Sequence, residues 1–169
     1  MIFVTVGTQL PFDRLIQAVD DWAGQSGRSD VFAQIGPSSY VPKHIEHAPF
    51  IDPEQCRERT REAAIIVAHA GMGTIISALE LGKPLVVMPR RAHLGEHRSD
   101  HQMATAEQFG QRPHVTLAHD AKQLAQALDR MDEMQSAEPI QSQASEALLG
   151  AIREFIGLAS AQGKGPIDD

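Results

Sequence analysis

Glycine-rich segments of the kind that bind phosphate groups occur at two places in this sequence of 169 residues. The first is VGTQLPFD, in which Gly7 and Thr8 directly follow an apolar run. Such a turn between a strand and a helix can direct backbone N–H groups, the helix dipole and a hydroxyl at an anion. A tight turn that binds nothing is the alternative interpretation of Gly7.

The second segment, HAGMGT, contains Gly71 and Gly73 and follows the apolar run IIVA. Glycine lets a ligand approach the backbone, and we expect Thr74 to cap the next helix and present its hydroxyl to a diphosphate. That helix should stop at Gly82. The segment has no third glycine at the dinucleotide-binding spacing and no P-loop lysine. A turn required only for close packing is the alternative.

Charged and polar side chains gather in the third segment, PRRAHLGEHRSDHQ. They are Arg90, Arg91, His93, Glu96, His97, Arg98, Asp100, His101 and Gln102. The segment directly follows an apolar run that ends at Met88. In an open parallel sheet this position is the carboxyl edge, where ligands bind. The placement favours a functional role.

A metal site is one interpretation of this charged segment, because His97 and His101 are four residues apart and would share one helix face. His93 would lie one turn earlier on the same face. However, Gly95 interrupts such a helix, and no carboxylate completes a recognised ligand set. A solvated charge cluster is therefore favoured over a metal site.

Short apolar runs alternate with longer amphipathic runs along the chain, which is typical of parallel strands joined by helical crossovers. The pattern predicts an α/β fold with a Rossmann-like, doubly wound parallel sheet. We predict strands at 2–6, 31–35, 48–51, 65–68, 85–88 and 114–116.

The helices that connect these strands have apolar residues at helical spacing. The first is predicted from Phe12 to Ala23, with Pro11 near its start and Gly24 at its stop. Asp120 should cap another helix. Its apolar stripe comprises Ala121, Leu124, Leu128 and Met131. A last helix is predicted at 141–158, which would complete a single domain at 1–158 before a flexible tail at 159–169.

The charge balance and the cysteine content restrict the class of protein. Fifteen basic and twenty-two acidic residues give a net charge of −7, which opposes binding to nucleic acid or anionic lipid. Cys56 is the only cysteine, so an internal disulfide or a cysteine-based zinc site is excluded. These features favour a cytoplasmic location. Because no stretch approaches membrane-spanning length, association with a membrane would require a partner.

Taken in order, the three segments resemble the C-terminal, donor-binding domain of the family 28 glycosyltransferases. The resemblance covers residues 1 to about 131 and includes the opening FVTVGT. It implies a domain equivalent to the C-terminal half of a GT-B glycosyltransferase. The layout is similar to the short catalytic subunits of two-part UDP-sugar transferases that serve dolichol-linked oligosaccharide or bacterial exopolysaccharide synthesis.

Most of the candidate binding residues are implied by this resemblance, and Arg90 is added from the charged segment. They are Gly7, Thr8, Gln9, His69, Gly71, Met72, Gly73, Thr74, Ser77, Arg90, Asp100, His101 and Gln102. In the family, the position of Gln102 contacts sugar hydroxyls. Many relatives have a glutamate for the ribose hydroxyls where this chain has Ser77, and Glu80 lies three residues further on.

The resemblance implies an inverting glycosyltransferase subunit that binds a UDP-sugar without a metal or a further cofactor. The acceptor would be lipid-linked, and a membrane-associated partner subunit would bind it and supply the catalytic base. His97 and His101 are the internal alternatives for that base. A non-catalytic nucleotide-sugar-binding regulatory subunit and an interaction module remain as alternative functions, and assembly into a homo-oligomer is left open.

Overall fold

A computed structural model describes residues 1–112, 114–134 and 136, and its centre is a parallel β-sheet. The six strands of this part of the chain are β1 (Ile2–Thr5), β2 (Val31–Gln34), β3 (Glu46–Ala48), β4 (Ile65–His69), β5 (Leu85–Met88) and β6 (Val115–Leu117). Their order across the sheet is β3-β2-β1-β4-β5-β6. The doubly wound, Rossmann-like fold predicted from the sequence is therefore confirmed.

The direction in which successive strands are added to the sheet reverses between β1 and β4, which are parallel neighbours. The chain runs outward from β1 to β3, crosses back to β4, and then runs outward to β6 on the other side. In the register, Phe3 of β1 lies between Phe32 and Ile66 of the neighbouring strands. In open α/β sheets, ligands bind beyond the carboxyl ends of the strands at this switch point.

Helices cover both faces of the sheet, as the buried, apolar strands require. They are α1 (Asp13–Ser26), α2 (Pro53–Glu62), α3 (Met72–Glu80), α4 (His101–Phe109) and α5 (Ala121–Asp129), with short 3-10 turns at Ala92–Leu94 and Met131–Glu133. All four residues of β1 and all four of β5 are buried. In the described part of the chain, no helix is long and apolar enough to span a bilayer.

The end of α1 differs from the prediction that placed it at Gly24. The helix continues to Ser26 and ends at Gly27, which has a φ of 68° and donates its N–H to the carbonyl of Ala23. Gly24 lies inside the helix, where an added Cβ would approach the His44 ring within 2.7 Å. Gly24 therefore leaves space for the His44 side chain, and Gly27 forms the turn that ends the helix.

The third strand is also displaced from its predicted position at 48–51. It occupies Glu46–Ala48, and Pro49 follows it directly. Since proline has no N–H to donate, the ladder ends there, although the Pro49 carbonyl still accepts from Gly36 at 2.8 Å. The last strand starts at Val115, one residue later than predicted.

Helix α3 begins earlier than predicted. The residue that precedes its first turn is Gly71 and not Thr74. Thr74 lies inside the helix and does not cap it. Gly82, with a φ of 61°, follows the helix as expected. The Asp120 cap of α5 is confirmed by a 2.8 Å bond from the N–H of Gln123.

Helix α2 is not among the sequence predictions. It has no apolar stripe, and Thr60 is its only buried residue. Its start is nevertheless well defined, because Asp52 accepts from the N–H groups of Glu54 and Gln55 and Pro53 follows the cap. The helix predicted at 141–158 and the tail predicted at 159–169 lie outside the described residues.

Candidate functional site

A cleft of about 440 Å³ opens at the carboxyl ends of β1, β4 and β5. Its lining consists of Val6, Gly7, Thr8, Gln9, Leu10, His69, Gly71, Gly73, Thr74, Arg90, His97, His101 and Gln102. The three segments singled out from the sequence therefore meet at one edge of the sheet. Of the candidate residues, Met72, Ser77 and Asp100 are outside this lining.

The turn after β1 is held by a buried hydrogen-bond network centred on Gln34. The Gln34 amide donates to the carbonyls of Gly7 at 3.1 Å and Pro49 at 2.9 Å. Thr5 Oγ1 donates to Gln34 Oε1 at 2.8 Å and accepts from the Gly7 N–H at 3.3 Å. The Gly7 N–H is therefore engaged, and Thr8 is left to offer its N–H to an anion.

Sequence reasoning missed Gln34 as a site residue. It is the one polar residue of β2, at the end of that strand, and 4% of it is exposed. A polar residue that ends an apolar strand was the available signal. Its partners are on β1 and after β3, so only the sheet order reveals its role.

The segment after β4 forms the second wall of the cleft. The Gly71 N–H donates to the His69 carbonyl at 2.8 Å, and α3 begins at the next residue. The first N–H groups of a helix have no partner within it, and the helix dipole makes this end positive. Because Gly73 and Thr74 line the cleft, the start of α3 can bind an anion there.

Arg90 connects the floor of the cleft to the turn after β1. Its Nη2 donates to the carbonyls of Val6 at 2.8 Å and Leu10 at 2.6 Å, and the guanidinium lies 5.1 Å from the centre of the Phe12 ring. Only 3% of the residue is exposed. Burial lowers the pKa of Arg90 to about 10, with Glu96 opposing that shift, so the group remains charged at neutral pH.

The other arginines of the third segment serve a different role or lie outside the lining. Arg91 donates to the carbonyl of His119 at 2.6 Å, away from the cleft. Arg98 is exposed and does not line the cleft. Glu96 is paired with Arg14 of α1 at 2.7 Å, a contact between distant segments that the sequence did not indicate.

His97 and His101 meet at the mouth of the cleft, with ring centres 4.4 Å apart and the rings nearly perpendicular. They do not share a helix face as expected, because α4 begins only at His101. Ser99 Oγ lies 2.8 Å from Nδ1 of His101. Burial lowers the pKa of His97, and the neighbouring charges of His101 and Arg90 lower it further.

The histidines do not form a recognised metal site. Among the described residues, no group of three or more His, Cys, Asp or Glu side chains is arranged to hold an ion. His93, the third histidine of the metal-site hypothesis, lies in the 3-10 turn Ala92–Leu94 and outside the cleft lining. Gly95, with a φ of 72°, ends that turn.

Asp100 and Gln102, which lie at the start of α4, have different roles. Gln102 lines the cleft, is 4% exposed, and accepts from the backbone N–H of Arg90 at 3.2 Å. Asp100 instead accepts from the N–H of Ala92 at 2.8 Å and stabilises the preceding loop. The structure therefore places Gln102 in the site and gives Asp100 a role in the loop.

A second cleft of about 470 Å³ lies between α2 and α3 and contains Ser77 and Glu80. Thr60, Arg57 and Arg61 of α2 also line it, and Gly73 and Thr74 belong to both clefts. Ser77 and Glu80, the alternatives for the ribose hydroxyls, thus share a cleft with the first turn of α3, although Glu80 itself ends that helix.

The sequence and fold of this chain match those of a class of sugar transferases. Residues 1–155 match the model of the glycosyltransferase family 28 C-terminal domain. The chain therefore belongs to this family, and the resemblance found in the sequence is confirmed.

Curated relatives are similar to this chain over about two thirds of its length. The UDP-N-acetylglucosamine transferase subunit ALG13 of Homo sapiens is 31% identical over 124 residues, which cover 68% of this chain and 10% of that protein. Its counterpart in Yarrowia lipolytica is 26% identical over 133 residues, covering 71% of this chain and 65% of that protein. The chain thus spans about a tenth of the human relative.

Solved structures share the fold at low sequence identity. The solution structure of ALG13 has a TM-score of 0.59 and 19% identity, with 82% of this chain and 89% of that chain covered. MurG of Acinetobacter baumannii has a TM-score of 0.59 and 19% identity, with 80% of this chain and 42% of that chain covered. The match to MurG corresponds to less than half of that chain.

Proposed function

We propose that this chain is the donor-binding subunit of an inverting glycosyltransferase, which transfers a hexose from a UDP-sugar to a lipid-linked polysaccharide precursor. The observation that carries the proposal is the composition of the cleft at the switch point. Its described lining joins the start of α3, the Gly7 turn and the buried cation Arg90, and it includes no acidic side chain. This chemistry suits a diphosphate.

The charge of the departing UDP is the first requirement of such a reaction. Negative charge develops on the diphosphate as the glycosidic bond breaks, and donors already in position stabilise it. The N–H groups at the start of α3 and the charge of Arg90 fulfil this role. No metal or further cofactor is required by this proposal.

A base must also remove the proton of the acceptor hydroxyl. We assign the base to a partner subunit that binds the acceptor. His97 and His101 are the internal alternatives, since both line the cleft and the lowered pKa of His97 keeps its imidazole neutral near pH 7. Full turnover by His97→Gln and His101→Gln variants, each paired with the partner, would support a base on the partner.

The partner is proposed to be membrane-associated, with this chain in the cytoplasm and recruited to the membrane surface. The ALG13 relatives are named as subunits, and this chain matches only 42% of the chain of MurG. Both facts support the proposal that a partner provides the acceptor-binding surface. The isolated chain should transfer little or no sugar, whereas addition of the partner should produce turnover. Turnover by the isolated chain would contradict this.

Donor binding can be tested directly by NMR and calorimetry on this chain. UDP and UDP-sugars should shift the amide signals of Thr8, Gly73 and Thr74 and leave that of Gln126 on α5 unchanged. If none of these signals moves at millimolar ligand, the site is wrong. Binding without transfer, even with the partner present, would favour the regulatory subunit.

A further inference from the structure

The His69 imidazole lies between the two glycine turns of the cleft. A Cβ added to Gly7 would be 2.9 Å from His69 Cε1, and one added to Gly71 would be 2.2 Å from His69 Nε2. Contacts below 3.0 Å require something to move. The ring therefore fills the space that a side chain on either turn would occupy.

The backbone conformation distinguishes the two glycines, because at only one of them is the His69 ring the sole obstacle to a side chain. Gly71 has a φ of −89°, which any residue adopts, so the imidazole is the obstacle to a side chain there. Gly7 has a φ of 75°, which independently favours glycine. By contrast, a Cβ on Gly73 would have no atom within 4 Å.

The ring is held in place without being charged. Burial, together with the charges of Arg90 and His97, lowers the pKa of His69 to about 4, although the backbone of Thr5 opposes that shift. Its Nδ1 is buried and makes no hydrogen bond to any described residue. A neutral ring wedged between two turns has the properties of a steric support.

We propose that His69 is a positioning residue whose imidazole sets the distance between the Gly7 turn and the start of α3, so that both can bind one diphosphate. This inference rests on the proposed function. It differs from direct ligation, because the ring acts through the backbone of its neighbours. A change of about 1 Å in the position of binding groups can cost about a hundred-fold in rate.

A double-mutant cycle on His69 and Gly71 tests this arrangement. His69→Ala removes the support and Gly71→Ala pushes against it, so each should weaken UDP binding about ten-fold or more in calorimetry. In the double variant the new methyl group enters the space left by the ring. Its loss of affinity should therefore be clearly smaller than the product of the two single losses.

The matched control is Gly24→Ala. A Cβ added there would also meet an imidazole, 2.7 Å from His44 Cδ2, but Gly24 lies in α1 and outside the cleft lining. Its affinity for UDP should equal that of the wild type even if its melting temperature falls. His69→Asn is a smaller change that should weaken UDP binding as His69→Ala does. It replaces His69→Ala in the experiment if the alanine variant does not fold.

Several outcomes would overturn the inference. If the wild type does not bind UDP, the proposed function fails, and the inference fails with it. If the wild type binds UDP and the His69 variants bind it equally well, His69 does not set the distance between the turns. The same conclusion follows if the loss of affinity in the double variant equals the product of the two single losses. A titration of the His69 ring nitrogens near neutral pH in NMR would indicate a charged ligand instead, since a spacer should titrate near 4.

Discussion

Gln102 Oε1 accepts a hydrogen bond of 3.2 Å from the backbone N–H of Arg90, and both residues are almost completely buried. The bond ties the start of α4 to the segment that follows β5. It uses one of the two acceptor positions of the amide oxygen, and the amide nitrogen remains as a donor for a sugar hydroxyl. A residue predicted to contact the sugar is thus also part of the frame that holds Arg90.

Replacing Gln102 with alanine should weaken binding of UDP-sugars more than binding of UDP. The lost contact to a sugar hydroxyl is worth about 0.5–1.5 kcal/mol, and UDP does not make it. Calorimetry with UDP and several UDP-sugars on both proteins measures the difference. Equal losses for every ligand, or none, would remove Gln102 from the sugar pocket.

A second comparison separates the two roles of this side chain. Gln102→Ala leaves the buried Arg90 N–H without an acceptor, at a cost of about 1–3 kcal/mol in the free energy of unfolding. Gln102→Glu keeps an oxygen there and should unfold closer to the wild type. Denaturant titration of both variants checks this, and equal stability of the two would argue against the Arg90 bond.

Arg90→Lys should destabilise the protein although it keeps the positive charge. Both bonds come from Nη2, and the shorter lysine side chain places its ammonium short of that position, so it cannot reach the carbonyls of Val6 and Leu10 in the same way. We expect a loss of about 1–3 kcal/mol in the free energy of unfolding, together with weaker binding of UDP. Arg98→Lys, at an exposed position outside the cleft, is the control. Unchanged unfolding of Arg90→Lys would show that these bonds contribute little.

The strands could be predicted from the sequence because a strand that is buried on both faces has apolar residues at consecutive positions. Runs such as LVVM in Leu85–Met88 are apolar at every position, and their bounds were predicted correctly. The fold follows from their alternation with helices. Gly24 and Gly27 show the limit, because the sequence does not reveal which of two nearby glycines makes the turn and which contacts His44.

The sequence predicted those residues of the cleft that come soon after the end of a strand. Parallel strands bring their carboxyl ends to one edge, so residues such as Gly7 and Gly73 were expected together. The contacts of Gln34 with Gly7 and of His69 with Gly71 could not be predicted. They depend on side-chain direction and on which strands are neighbours, and neither leaves a periodic signal.

Asp20 should make the stability of this protein sensitive to acid. Its buried carboxylate accepts from Tyr40 Oη at 2.7 Å and from the N–H groups of Lys43 and His44 at 2.9 and 2.7 Å. Burial alone would raise the pKa of Asp20, but these bonds outweigh it and lower the pKa. The stabilisation is therefore present above about pH 4 and is lost as the pH falls through the lowered pKa.

Asp20→Asn tests this by removing the charge. At pH 7 the variant should lose about 1–3 kcal/mol in the free energy of unfolding, since an amide cannot accept all the donated bonds. Its stability should then fall less steeply than that of the wild type as the pH is lowered below about 4. Asp21→Asn, the exposed neighbour on α1, is the control, and parallel pH profiles for Asp20→Asn and the wild type would contradict the assignment.

Removal of divalent metal should leave UDP affinity unchanged. The diphosphate carries charge that some other group must balance, and Arg90 with the start of α3 provides that balance in the lining of the cleft. A bridging metal would usually need carboxylate ligands, and no Asp or Glu belongs to the described lining. Calorimetry with UDP in excess chelator, and again with magnesium or manganese, measures the effect. A large loss of affinity in chelator that either ion restores would show that the metal, rather than Arg90 and α3, neutralises the diphosphate.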